Sequence, residues 1–511
     1  MTDRPSPELL EPGSPLSEGP LPAATPERMA PRDRLAVVLL LVSTFVVILN
    51  ETIMGVALPR LMTDLSVTPA TAQWLSTAFM LTMAVVIPVT GFVLQRITTR
   101  AAFLTAMGLF SLGTAVCTLA PGFPVLLAGR VVQATGTAVM LPLLMTTVMT
   151  VTPPASRGRT MGNISVVISV APAIGPTISG LILSVLQWRW MFGLVLPIAL
   201  GALALGAARV PNIGVTRTAR VDVGSVVLSA FAFGGIVYGL STLGSATGGV
   251  PVTAWVSLVV GLTALSLFVA RQLWLQRADD ALLDLRVFGS RTFTVSVALM
   301  AVVMMAMFGT IIMVPIYAQQ VLHLTTLSTG LLLLPGGLLM GLLAPAVGRA
   351  YDRFGPRPLL VPGAVLLSAA LWGMTTLDQH SSPGLLLAAH VTLSAGLAAM
   401  FTPLFTSALG SLPGHRYSHG SAMVGTVQQV AGAAGTALFV TVLTAQAGRL
   451  AEHGADGAAA TAGAVQAAFL VGALVSLLAI PAAWLVRRPS DDPSPAVPEG
   501  VPSPAVAAEE S

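Results

Sequence analysis

The chain has 511 residues, 54% of them hydrophobic and only 9% charged, with a formal net charge of +4. Soluble domains carry roughly 25% charged residues, so this composition excludes a soluble globular protein, and so small a net charge gives no reason to expect nucleic acid as a partner. All 25 basic residues are arginine, which excludes a Walker A phosphate loop and lysine Schiff-base chemistry, since both need a lysine.

Residues 1–30 are rich in Pro, Ser, Ala and Glu and are expected to be disordered. The first apolar run follows them and is too long for a cleavable signal peptide. A helix needs about 20 apolar residues to cross the hydrocarbon core. Turn signals divide the chain into fourteen such stretches: 35–60, 72–94, 101–120, 124–149, 161–186, 190–209, 223–244, 253–275, 293–319, 328–348, 359–377, 384–411, 420–446 and 463–486. The expectation is an all-α polytopic membrane protein. Residues 1–34 form a tail and 35–209 a six-helix bundle. Residues 210–292 hold linkers and two inserted helices, 293–486 a second six-helix bundle, and 487–511 a second disordered tail.

Arginine placement gives the expected orientation. Arg28, Arg32 and Arg34 precede the first stretch, Arg96 and Arg100 follow the second, and Arg157 and Arg159 follow the fourth. The same side collects Arg209, Arg217, Arg220, Arg271, Arg277, Arg286, Arg291, Arg349, Arg353, Arg357, Arg416, Arg487 and Arg488. The opposite loops hold only Arg60, Arg189 and Arg449. The positive-inside rule then puts both termini in the cytoplasm, which requires an even number of spans. Cys117 cannot form an intrachain disulfide and reads as a small packing residue.

Two charges stand inside apolar stretches, Glu51 in the first and Arg130 in the fourth. A charge at membrane depth costs at least ~2.5–3.5 kcal/mol, so each is a functional candidate. An exposed glutamate titrates near pH ~4.3, and desolvation raises that value, so Glu51 could exchange a proton near neutrality. The alternative is a structural hydrogen bond to Asn50, Gln133 or a backbone group. Arg130 stays charged and could tune an acid or hold an anion, or it could only tie helices together. Gln133, three residues on, shares its helical face.

The halves repeat at an offset of roughly 257–260 residues, as transporter repeats do. Gly91, Arg96 and Arg100 align with Gly348, Arg353 and Arg357, and Arg130 aligns with His390. His390 could titrate near physiological pH or could simply pack. His415 and His419 have the i, i+4 spacing of metal ligands, but Arg416 lies between them in a loop without a nearby carboxylate, so no metal site is expected.

Several segments together resemble the major facilitator superfamily, and more closely its fourteen-helix drug:proton antiporter branch, over about residues 35–486. Gly348-Arg-Ala-Tyr-Asp-Arg-Phe-Gly-Pro-Arg357 resembles the superfamily's loop motif at Gly348, Asp352, Arg353, Gly355 and Arg357. The first-half copy retains Gly91 and Arg96 but has Gln95 where the acid belongs. Arg130-Val-Val-Gln-Ala-Thr-Gly136 resembles the fourth-helix motif. Ala171-Pro-Ala-Ile-Gly-Pro-Thr-Ile-Ser-Gly180 resembles the antiporter motif at Gly175, Pro176 and Gly180. Leu49-Asn-Glu-Thr-Ile-Met-Gly-Val-Ala-Leu-Pro59 resembles the first-helix motif, with its acid one position late at Glu51. Gln73-Trp74 and Trp188-Arg-Trp-Met-Phe192 also match. Asp222 stands where the branch often opens its seventh helix with an acid and should be an N-cap.

The resemblance implies proton coupling through Glu51, Arg130 and His390. It implies a conformational latch in which Asp352 meets basic groups and a neighbouring helix N-terminus, and a pliable antiporter helix at the interface between halves. Asn50, Gln133, Phe79, Met83, Phe308, Gln428 and Gln429 are the candidates for a substrate cavity. Met300, Met304, Met305 and Met307 read as packing or lipid-facing residues. The implied function is proton-coupled export of lipophilic compounds, cations possible among them, by alternating access across a bacterial cytoplasmic membrane. The composition fits a GC-rich bacterial genome. Partners are a small lipophilic substrate, protons and the lipid bilayer. No cofactor is expected, and a monomer is. The alternatives are a dedicated exporter of one metabolite or self-made antibiotic, and a transport-inactive sensor or scaffold. A membrane enzyme is disfavoured, because no catalytic cluster appears.

Overall fold

The computed structural model describes residues 29–213, 222–245, 251–278, 280–454 and 456–488. The expected disordered tails, apart from 29–30 and 487–488, and also Arg28, Arg217 and Arg220, lie outside the described residues. The described residues fold into helices α1 (Pro31–Leu65), α2 (Pro69–Arg96), α3 (Thr99–Leu119), α4 (Phe123–Val151), α5 (Arg157–Val185), α6 (Trp190–Gly193), α7 (Val195–Arg209), α8 (Val223–Ser245), α9 (Val252–Leu275), α10 (Arg291–Gln320), α11 (Thr326–Phe354), α12 (Arg357–Met374), α13 (Pro383–Gly410), α14 (Tyr417–Glu452), α15 (Gly457–Ser476) and α16 (Ala479–Leu485). Among them are fourteen stretches long and apolar enough to cross a membrane, with α6–α7 and α15–α16 each forming one broken span.

Hydrocarbon offers no water to backbone groups, so each span must bond its own N–H and C=O groups. The ends are closed by side chains. Thr68, Thr98, Ser290, Thr325, Ser382 and Asp456 each accept a hydrogen bond from the backbone N–H three residues on. Prolines open α1, α2, α4, α12 and α13, where their missing N–H has no intrahelical partner anyway. Four helices, α1, α11, α14 and α15, outrun the sequence expectation by five or six residues at one end. α1 begins at Pro31, with Asp33 in its first turn favouring the helix N-terminus. α14 continues to Glu452 through a run of good helix formers.

In the first bundle α3 packs along α4 and α1 along α5; in the second, α12 lies along α13 and α10 along α14. The halves meet where α5 runs beside α11 and where α14 packs on α2 and α4. The repeated glycines sit at these two seams. A Cβ on Gly91 would lie 3.0 Å from Ala422 Cβ and 3.2 Å from His419 Cα of α14. A Cβ on Gly348 would collide with the Gly158 carbonyl of α5. Only a glycine lets the backbones approach this closely.

The inserted pair covers one seam. α8 packs on α9 and lies against both α2 and α14, with Trp74 and Tyr238 rings 5.9 Å apart. Asp222 accepts from the Ser225 N–H at 3.1 Å, as an N-cap does, and pairs with both Arg271 Nε (2.7 Å) and Nη2 (2.8 Å). Gln272 Nε2 donates to Ser225 Oγ at 2.7 Å, and Gln272 Oε1 accepts from the Leu283 N–H at 3.1 Å. The chain leading to α10 is thereby tied to the insertion.

The bonds from Arg271 and then Ser225 hold the Asp222 carboxyl well below the usual carboxylate range. A depressed folded-state pKa gives stabilisation that is present above the unfolded value, near ~3.9, and lost only as pH falls through the lower folded value. Backbone amide exchange at the start of α8 is therefore expected to show equal protection at pH 7 and pH 5.5, after correction for intrinsic rates. Asp222→Asn should weaken it at both; mass-spectrometric exchange of detergent-purified protein measures this.

Candidate functional site

Arg130 projects from α4 into an intersection of four helices and is only 1% exposed. Its Nη1 donates to Gln133 Oε1 at 2.6 Å and lies 3.5 Å from Asn50 Oδ1 of α1. Its guanidinium covers the Phe79 ring of α2 at 4.0 Å from the centroid, a cation–π contact that strengthens where water is absent. Gln133 Nε2 in turn donates to Thr114 Oγ1 of α3 at 2.8 Å. Thr114 was not legible as part of this site; its only signal was a hydroxyl in an apolar helix. The Nε of Arg130 and Nδ2 of Asn50 are buried without a hydrogen-bond partner.

Three consecutive residues of α1 address three directions. Asn50 faces Arg130. Thr52 presses on α5, where a Cβ on Gly175 would collide with its hydroxyl. Glu51 lies between them, turned by about 100° from each, is partly buried, and has no hydrogen bond or ion pair among the described residues. The Glu51 carboxyl, one position past that of the motif's acid, is thus beside the arginine cluster but not hydrogen-bonded to it. Ser179 Oγ donates to the Ile53 carbonyl at 2.9 Å, so the antiporter-like segment is fastened to α1 next to Glu51. Gly180 faces open space; the side chain of Pro176 lies outside the described residues. α5 also meets the other half, through Thr402 Oγ1 and Ser165 Oγ at 2.8 Å.

The loop motif forms its contact on one seam. Asp352 Oδ1 accepts from the Gly158 N–H at 2.7 Å and Oδ2 from the Arg159 N–H at 2.8 Å, which places a carboxylate on the N-terminus of α5. Gly355 adopts φ +82 just past α11. Arg353 gives its carbonyl to Arg488 Nη2 (2.9 Å), and Arg357 Nε donates to the Val486 carbonyl (3.2 Å), so both brace the end of α16. On the other seam Gln95 Nε2 donates to the His415 carbonyl at 3.0 Å. Arg96 stacks on Phe92 at 4.2 Å, and its Nε and Nη2 are buried without hydrogen-bond partners.

Two expectations need correction. His419 is not in a loop but in the first turn of α14, where it is buried. An acidic residue does lie beside it: the backbone N–H of Asp284 is 3.5 Å from His419 Nδ1. Asp284 pairs with Arg286 Nε (2.9 Å) and Arg416 Nε (3.4 Å). Folding brings this acid in from 135 residues away in sequence; its flanking buried leucines, Leu282 and Leu283, were the available signal.

A cavity lies between the halves, walled by α2, α4, α13 and α14. Met83, Gln428 and Gln429 line it. Asn50, Gln133, Phe79 and Phe308 are not among its lining residues: the first three build the Arg130 cluster, and Phe308 packs over Gly432. Met300 and Met304 are buried in the second bundle. His390 packs on Gly336, away from this cavity, with Nδ1 buried and unpartnered.

The profile of the Major Facilitator Superfamily matches residues 40–436. The lincomycin resistance protein LmrB of Bacillus subtilis is 39% identical over 457 residues, covering 88% of this chain and 95% of that protein. An uncharacterized MFS-type transporter of the same organism, YcnB, is 38% identical over 460 residues, covering 90% of this chain and 96% of its own. The crystal structure of the human organic anion transporter MFSD10 superposes with TM-score 0.61 at 16% identity, covering 90% of this chain and 100% of that one, a likeness of fold alone.

Removing both Asp352 bonds should cost the joined arrangement of α5 and α11 about 1–2 kcal/mol, a factor of roughly 5–30 in population. With Cys117→Ser as background, spin labels at Ala155 and Arg349 should report a larger separated population in Asp352→Ala than in the parent, by double electron–electron resonance.

Proposed function

The chain belongs to the Major Facilitator Superfamily, and we propose that it exports lipophilic drugs or antibiotics across a bacterial cytoplasmic membrane in exchange for protons. The reading rests above all on Glu51. It is an unpaired carboxyl inside a span, one residue from Asn50 in the Arg130 cluster and one from Thr52 on the antiporter-like helix. Such a group is neutral when protonated and anionic when not. Protonation therefore changes the charge balance at a point where three helices of the first bundle meet.

The two bundles, 35–209 and 293–486, would rock about the seams made by α5–α11 and α2–α14, exposing the cavity to each side in turn. Asp352 on the α5 N-terminus would hold one of the two arrangements. Both termini would be cytoplasmic, by the arginine bias, and the protein would act as a monomer. A membrane potential of ~100 mV supplies ~2.3 kcal/mol per charge moved inward, enough for a gradient of roughly fifty-fold before any pH term. The lincomycin resistance named for the relative supports an antibiotic as cargo and leaves room for a dedicated exporter of one compound.

The test is substrate uptake into inside-out proteoliposomes with an imposed pH gradient, using lincomycin and a panel of lipophilic dyes. Wild type should accumulate substrate only with the gradient. Glu51→Gln should lose at least about tenfold of the gradient-driven rate while retaining exchange between substrate pools. Full gradient-driven uptake by Glu51→Gln would remove the carboxyl from the mechanism.

A further inference from the structure

We propose that the central cavity selects uncharged, hydrogen-bonding lipophilic solutes over cations, and that Gln428 and Gln429 set this preference. The inference takes the cavity's purpose from the export reading, but its content is a binding preference that can be measured without transport.

No residue lining the cavity is ionisable. Helix α1, which carries Glu51, contributes none of the wall. Along the helices that do, the approaching charge is positive. On α4, Thr137 lines the cavity and donates to the Gln133 carbonyl at 3.0 Å, and Gln133 holds Arg130. On α2, Met83 is one turn beyond Phe79, the ring under the same guanidinium. A cation entering this space would shed water, find no carboxylate in the wall and, with Glu51 protonated, approach the uncompensated charge of Arg130; each of these opposes binding.

The polar equipment suits a neutral guest. The Gln428 amide has no hydrogen-bond partner among the described residues, and Gln429 Nε2 has only the Met83 sulfur at 3.8 Å. The Ser421 hydroxyl is already donated to the Pro142 carbonyl at 3.3 Å. Two glutamine amides therefore present donors and acceptors from successive positions of α14, against an otherwise apolar wall that includes Leu141, Met145, Phe405 and Leu409. Few placed polar groups in an apolar cleft fix orientation and specificity, and a guest unable to use them leaves them unpaired.

Two probes of similar bulk separate the cases: triphenylphosphine oxide, neutral with one strong acceptor, and tetraphenylphosphonium, a permanent cation. Equilibrium dialysis against the purified full-length protein at pH 7 should show the oxide binding at least roughly tenfold more tightly, the scale of one or two net hydrogen bonds. The double variant Gln428→Leu, Gln429→Leu should lose that preference. Gln429→Glu should raise tetraphenylphosphonium binding above that of the oxide, a gain that a misfolded variant cannot produce. Equal or tighter cation binding by wild type, binding of neither probe, or a preference untouched by the double variant would each overturn the inference. A preference that holds while gradient-driven export fails supports the inference and sinks the export reading alone.

Discussion

Hydrocarbon cannot satisfy a polar group, and nearly every feature of this protein that is not simple apolar packing answers to that constraint. The spans are helices because helices bond their own backbones. Their ends carry threonine, serine or aspartate caps. The one fully buried guanidinium among the described residues is wrapped by an amide, an aromatic face and a second amide from three other positions rather than left to the lipid. Small residues take over at the seams, because two backbones pressed together exclude lipid without needing polar contacts. The same constraint makes Glu51 conspicuous: it is the carboxyl inside a span to which the described structure gives no partner.

The two seams are built on the same plan and finished differently. Each has a motif glycine at a backbone crossing, Gly348 over Gly158 and Gly91 over His419. At the first, Asp352 places a full negative charge on a helix N-terminus, a contact of the kind worth about 0.3–1 kcal/mol or more from the dipole alone. At the second, neutral Gln95 reaches only a carbonyl, and the acid near α14 is Asp284, which arrives from the linker and is bound to Arg286 and Arg416. That second seam is also the one that α8 covers, resting on α2 and α14 together. The charge-based contact is thus concentrated where no inserted helix braces the halves.

Sequence reading went furthest where the physics is one-dimensional. Span number follows from hydropathy, since a stretch of about 20 apolar residues has few alternatives. The glycine positions of the loop motif were legible because their repetition in the two halves, Gly91 and Gly348, marks equivalent crossings. Relations that exist only after folding were not legible. The pairing of Asp284 with Arg416 joins residues far apart in the chain, and nothing local announces it. Asn50 and Gln133, expected in a cavity wall, lie in the Arg130 cluster for a related reason: a buried arginine takes up nearby amides, and only the fold reveals which amides are near. The position of His419 was missed because a Gly-His-Arg-Tyr sequence after a proline reads as loop, whereas the helix begins at Tyr417.

The order of residues on α1 ties these observations together. Asn50, Glu51 and Thr52 differ by about 100° of rotation each, so a rigid helix cannot move the carboxyl without moving its neighbours. Asn50 belongs to the Arg130 cluster, whose other arms reach α2, α3 and α4. Thr52 and Ile53 are fastened to α5 through Gly175 and Ser179. α5, in turn, carries at its far end the N-terminus that Asp352 occupies. Under the proposed function, a change in the charge of Glu51 needs no wire to reach the seam. It alters the balance beside Arg130, and α1 and α5, packed as one body, carry the adjustment to the contact between the halves. The cavity wall receives it separately, through Gln133 and Thr137 on α4, which lets one protonation event act on both the latch and the solute.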